Sequence, residues 1–322
     1  MTWLTWRLHR TEAAIGIPIF AALIVIMFLA TQSVNSAYDA ASNLGCFDNG
    51  DSILCSERLS DYYDRSSRWG NLTTLLHGIP LAVAALLVIP TLQELERGTH
   101  RLAWTQSISR RRWTLIRVGF LIGISTLVAA VWAVTTSDWR SSILQVDEQS
   151  FARDAFELSP AVLVGYGLFA VALGLAAAVV TRRLIPTLAL LAVGFTGTRI
   201  LTTFVLRERY RNPVEETIPA ADDTGQFTAF EDRWILDESW LTKSGERLSW
   251  ERVNQLCTPG ADEQNFEAFY QKCLVDNDLQ YYRAFHPTDR FGQFQLIETA
   301  LYLGLAAGLF ALSYWWLTRR SA

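Results

Sequence analysis

The sequence predicts an all-α polytopic membrane protein. Its expected parts are six transmembrane helices, an N-terminal interfacial helix and a small disulfide-bonded extracellular cap between helices five and six. Three observations carry this expectation: where charge is missing, where arginine is concentrated, and where the cysteines lie. Residues 13–32, 72–93, 118–137, 158–181 and 299–318 contain no Asp, Glu, Lys or Arg, and 184–206 contain Arg199 alone. Each run is near the ~20 residues a helix needs to cross roughly 30 Å of hydrocarbon. A soluble fold would have to bury six such helices in one chain of 322 residues.

Residues 1–12 place Trp3, Leu4 and Trp6 beside Arg7, His9 and Arg10. Tryptophan favours the membrane interface and cations favour the headgroups, so this segment reads as an interfacial helix or an ordinary positive flank. The first apolar run is too long for a signal-peptide core, despite the small residues Val34 to Ala37 that follow it. A retained span is expected.

With the N-terminus inside, the inside segments are 1–12, 94–117, 182–183 and 319–322, and they hold twelve arginines. The outside segments 33–71, 138–157 and 207–298 hold fifteen Lys and Arg against twenty-nine Asp and Glu. That contrast puts both termini in the cytoplasm. Cys46, Cys55, Cys257 and Cys273 then all fall outside. On an oxidising face they point to two local disulfides, Cys46–Cys55 and Cys257–Cys273, with cross-loop pairing the other arrangement. Only His286 accompanies them outside, so no metal is expected.

The domain reading is 1–12 interfacial helix, 13–206 five spans with an inner loop at 94–112, 207–293 extracellular insert, and 294–322 last span and tail. The insert is acidic but rich in aromatics, including Trp234, Trp240, Trp250 and Tyr281, which a disordered linker would lack. A small folded unit is expected, with Asn212-Pro213 and His286-Pro287 as its turns. Lysine occurs only at 243 and 272 against twenty-six arginines, a usage that fits a bacterium with a GC-rich genome.

The inner loop opens with Glu94 and Glu96 and ends with Arg110, Arg111 and Arg112. Arginines suit the anionic cytoplasmic leaflet. The acids stand at a helix C-terminus, where cations are preferred, so a partner outside that helix is expected to compensate them. Gly98 is a C-terminal stop, Thr99 can cap a short helix at 100–106, and Ser107 or Ser109 can cap span three. This order resembles the permease subunits of the type-2 ABC exporter family, which commonly carry acid-x-acid-x-Gly-Thr after span two and Ser-Arg before span three. Glu94, Glu96, Gly98, Thr99, Ser109 and Arg110 match those positions, and the six-span layout extends the resemblance over the whole chain. The closing run HPTDRFGQFQLIETALYLGL looks like actinobacterial members. A larger insert, and Ser107-Ile108 where a proline is common, depart from the plainest pattern.

The resemblance implies a plasma-membrane exporter subunit with no catalytic residues of its own. ATP and magnesium would be bound by a separate ABC ATPase, two copies of which serve a dimer of permeases, a homodimer or a pair with a second permease. No Gly-x4-Gly-Lys-Ser/Thr phosphate loop is present. The coupling surface would be Glu94, Glu96, Gly98, Thr99, Arg101, Ser109 and Arg110. The cargo would be an amphiphilic or hydrophobic compound; membrane lipid is the other partner and nucleic acid is not one. The alternative is an ATPase-independent membrane sensor or resistance protein. A protease built on Ser125 and His77 is disfavoured, since their places in spans three and two set them about 10 Å apart in depth, beyond proton-transfer reach.

Arg199, fifteen residues into span five, carries a charge that costs at least ~2.5 kcal/mol at a helix centre. It is expected to snorkel, to pair with Glu298, or to line an outer gate near His77, with threonines 73, 74, 196, 198, 202 and 203 close by.

Overall fold

A computed structural model describes residues 2–47, 52–99, 109–144, 151, 153–222, 233–258 and 266–320. The chain forms two compact units: one comprises 1–147, 153–207 and 293–322, the other 148–152 and 208–292. In the helical unit, α1 (Thr2–Ser42) runs without a break from the N-terminal segment through the first apolar run. It ends at Gly45, whose φ of +69° lets the Cys46 amide return to the Ala41 carbonyl at 3.1 Å. Then α2 (Ile53–Leu76), a helix too polar to be a span, folds back along α1. Cys46–Cys55 ties the two together, and Phe47 stacks on Tyr38 with centroids 5.1 Å apart. The expected loop at 33–71 is therefore largely helix.

The remaining long helices are α3 (Ile79–Glu96), α4 (Arg110–Leu144), α6 (Pro160–Thr181), α7 (Leu184–Leu201) and α10 (Phe291–Trp315), with the short α5 (Arg153–Glu157) before α6. Six helices among the described residues are long and apolar enough to cross a membrane. Span two starts at Ile79 rather than at 72, because the chain turns at His77 and Gly78. Its Pro80 stands in the first turn, where a missing N–H is harmless. The two-residue turn expected at 182–183 is present, with Arg182 taking the left-handed conformation at φ +52°.

Helix α6 is the axis of the unit: 83% of its apolar window is buried, against 11–39% for the other spans. Small residues let neighbours approach. A Cβ at Gly174 would meet Val88 of α3 at 3.1 Å, one at Gly167 would meet Ala129 of α4 at 3.4 Å, and one at Gly165 would meet Tyr302 of α10 at 3.4 Å. Trp132, Trp139, Met27 and Tyr62 fill the space around α1 and α4.

The second unit was expected to be a small folded body with its own core, and it is. Its architecture is an addition to the all-α expectation: an antiparallel sheet of β1 (Val214–Pro219), β2 (Arg233–Leu241), β3 (Arg247–Leu248) and β4 (Gln280–Pro287), in the order β1-β4-β2-β3. Between strands lie α8 (Trp250–Leu256), capped by Ser249, and α9 (Phe266–Asp276). Trp240, Val253, Leu274 and Tyr281 form the core beside the Cys257–Cys273 bridge. His286-Pro287 closes β4 instead of forming a turn; the turn follows at Thr288–Arg290. His286 is fully buried, donates from Nε2 to the Glu208 carbonyl at 3.2 Å, and has its pKa lowered by that burial.

The Cys257–Cys273 bridge spans 16 residues and should stabilise the insert by about 3 kcal/mol in the chain-entropy model. Replacing both cysteines by serine is expected to make the insert protease-sensitive at temperatures where the helical unit stays intact. Equal resistance of the two proteins on limited proteolysis would contradict a stabilising role.

Candidate functional site

Two sets of charged side chains are enclosed in the helical unit, one beside the start of α3 and one near its end. The first is built on Glu157 and Glu298, both fully buried. Glu157 ends α5, and its carboxylate accepts from Arg199, from the Thr203 hydroxyl at 3.0 Å and from Arg207 Nη2 at 3.4 Å. His77 Nδ1 lies 3.1 Å from its Oε2. Glu298, on α10, is gripped through two nitrogens of Arg207, Nε at 2.9 Å and Nη2 at 2.8 Å, and also accepts from the Tyr166 hydroxyl on α6.

Local spacing explains why one helix supplies three of these groups. Residues 199, 203 and 207 are four apart, so they share a face of α7 and its continuation. That continuation includes a wider π-type turn, Thr202–Leu206, a feature that often accompanies functional positions. The guanidinium groups are flanked by rings: Arg199 lies 3.7 Å from the Tyr166 centroid and Arg207 4.1 Å from that of Phe156. Tyr302 donates to Thr202 at 3.0 Å and closes the cluster from α10. Two carboxylates and two guanidiniums cancel, which is what an apolar surround demands.

His77, Arg199 and Glu298 do meet in one cluster, but not as depth alone suggested. Arg199 is held by Glu157, and Glu298 by Arg207. Glu157 and Arg207 were counted with the loops because each borders an apolar run rather than interrupting it. The available signal was the four-residue spacing 199, 203, 207 facing an acid at the border of the neighbouring span. Thr196 is exposed and Thr198 bonds back to the Gly194 carbonyl, so neither joins the cluster. The side chains of Thr73 and Thr74 lie outside the described residues.

The second set begins at Glu94, whose Oε1 accepts from Arg117 Nη2 of α4 at 2.6 Å. This is the outside partner expected for an acid at a helix C-terminus. Arg117 is buried and lies 5.6 Å from the Trp113 ring centroid. Gly98 takes φ +71°, as its stop position requires, and the Thr99 hydroxyl reaches the Glu94 carbonyl at 3.4 Å. Ser109 caps α4 by accepting from the Arg112 amide at 3.3 Å, and Arg110 begins the helix. Glu96 is exposed. Arg101, Ser107 and the short helix expected at 100–106 lie outside the described residues.

Removing Glu157 alone would leave Arg199 enclosed without its carboxylate, at a cost of about 3–5 kcal/mol. Glu157→Ala should therefore lower the unfolding temperature of the protein in nanodiscs. Glu157→Leu combined with Arg199→Leu should recover much of the loss, because Arg207 keeps Glu298. A double variant as unstable as the summed singles would refute the pairing.

The family model described as ABC-2 membrane transporter related matches residues 17–207. No curated protein and no solved structure matches the chain. The match runs from within α1 through the Arg199–Arg207 segment, including Glu94, Arg117, Glu157 and both enclosed charge sites apart from the α10 residues, and the chain belongs to the ABC-2 membrane transporter-related family.

Proposed function

We propose that this multi-pass membrane protein is the permease subunit of an ATP-driven exporter, moving an amphiphilic or hydrophobic compound out of the cell. The membrane is the plasma membrane, with both termini cytoplasmic and the 208–292 unit outside. Energy comes from an ABC ATPase, two copies of which act on a homodimer of this chain and bind the ATP and magnesium. The ATPase docks on the loop at 94–112, which Glu94, Gly98, Thr99, Ser109 and Arg110 shape, and to which Glu96 and Arg101 give charge.

The observation that carries this reading is the enclosed Glu94–Arg117 pair, in a chain of this family. It joins the helices on either side of the loop, so a push on the loop moves α3 and α4 together. Glu94 thus braces the docking surface, and exposed Glu96 is the acid available to a partner. On the same reading, the Glu157–Arg199–Arg207–Glu298 cluster acts as the outer gate. It joins α5, α7 with its continuation, and α10, and exchanging partners among four charges lets these helices shift without leaving one unpaired.

Native purification should bring down an ATP-binding chain in near-equal amount. Glu96→Arg should weaken that association and uncouple hydrolysis from transport, with membrane insertion unchanged. Repeated purification without any ATPase, or full transport by Glu96→Arg, would favour a sensor or resistance protein that works alone. Arg199→Lys keeps the charge but loses the planar fork, so it should slow export while leaving ATPase association intact.

A further inference from the structure

Between α1, α3 and α4 lies a cavity of about 260 Å³ that neither charge cluster uses. Its walls are apolar, with Gly16, Phe20, Leu86, Ile124 and Leu127 among them, and among the described lining residues Glu12 alone is charged. The α1 positions that line it run from 12 to 20, a length of about 12 Å at 1.5 Å per residue. Glu12 lies at the end where the apolar span of α1 begins, at Arg10. The groove therefore runs from the membrane edge into the hydrocarbon, with its acid at the edge.

Glu12 Oε2 is shut off from solvent, and no donor among the described residues reaches it. An enclosed carboxylate oxygen without a partner is costly, and a cation offsets that cost. No basic side chain lines the groove among the described residues, so among these a phosphate or sulfate headgroup would meet only the negative charge of Glu12. We propose that this groove binds a membrane-soluble amphiphile carrying one ammonium group and no phosphate, with the ammonium on Glu12 and the apolar body along α1, α3 and α4. The inference concerns binding and holds whether or not the chain exports the compound.

The test uses the full chain in nanodiscs and radiolabelled dodecylamine, counted above the amount taken up by empty discs. Saturable one-site binding is expected, displaced by dodecyltrimethylammonium but not by dodecanol or dodecylphosphocholine. Glu12→Gln should weaken affinity at least about tenfold, the worth of a hydrogen bond to a charged group. Gly16→Leu should abolish binding: a Cβ there would meet Leu86 at 3.4 Å, so the helix tolerates it while the longer side chain fills the groove. Unfolding temperatures of both variants separate lost binding from lost fold. Should Glu12→Gln fail to fold, Glu12→Asp is expected to bind with reduced affinity, and Gly16→Leu still reads the groove. Binding no greater than to empty discs, unchanged affinity in Glu12→Gln, or equal displacement by dodecylphosphocholine (an ordinary lipid groove) would each overturn the proposal.

Discussion

A charge enclosed among apolar helices has no water to return to, so every helix near it must arrive with a matching group. Glu157 is the member on which the others converge. Through it, His77 from the α2–α3 junction, Arg199 from α7, and Thr203 and Arg207 from its continuation meet before α6 begins. Arg207 carries the connection on to Glu298 of α10. The gain from such pairs over an apolar packing is small, but the penalty for breaking one is large, so the cluster acts on register more than on total stability. A helix that slid by one turn would strand a charge.

Packing at the middle of the unit is made differently. There α6 brings glycines toward α3, α4 and α10, and close approach replaces charge as the source of specificity. Tyr166 links the two regimes: its ring lies 4.6 Å from that of Tyr302 and 3.7 Å from the Arg199 guanidinium, while its hydroxyl reaches Glu298. Near the other end of α3 the Glu94–Arg117 pair repeats the logic on a smaller scale, tying two helices where a charged loop departs. In the insert an aromatic core and a disulfide are joined by the buried Arg283, which pairs with Glu216 at 2.9 Å, as befits a small unit with a limited interior.

The legible part of the site was the part written locally. The acids before Gly98 announced a missing partner, and the left-handed Gly98 and the Ser109 cap occupy the positions their residue types suggested. Arg199 was conspicuous because it interrupted an apolar run. Glu157, Arg207 and Arg117 were not, because a charge at the border of a span looks like any other flank.

Taken alone, the sequence determined the six spans, the two-residue turn between α6 and α7 and a folded insert with an aromatic core, and it favoured the local cysteine pairing that the structure then settled. These follow from apolar run length, turn chemistry and short loop closure, all of which act over neighbouring residues. Tertiary structure decided that 53–76 is helix, that the insert is built on a sheet, and that Glu157 rather than Glu298 holds Arg199. The groups concerned are 42 and 91 residues apart for the Arg199–Glu157 and Arg207–Glu298 pairs. Hydropathy sets how deep each charge lies, but which charges share a depth and also face one another depends on how the helices rotate and pack, and that rotation is fixed by contacts between distant segments.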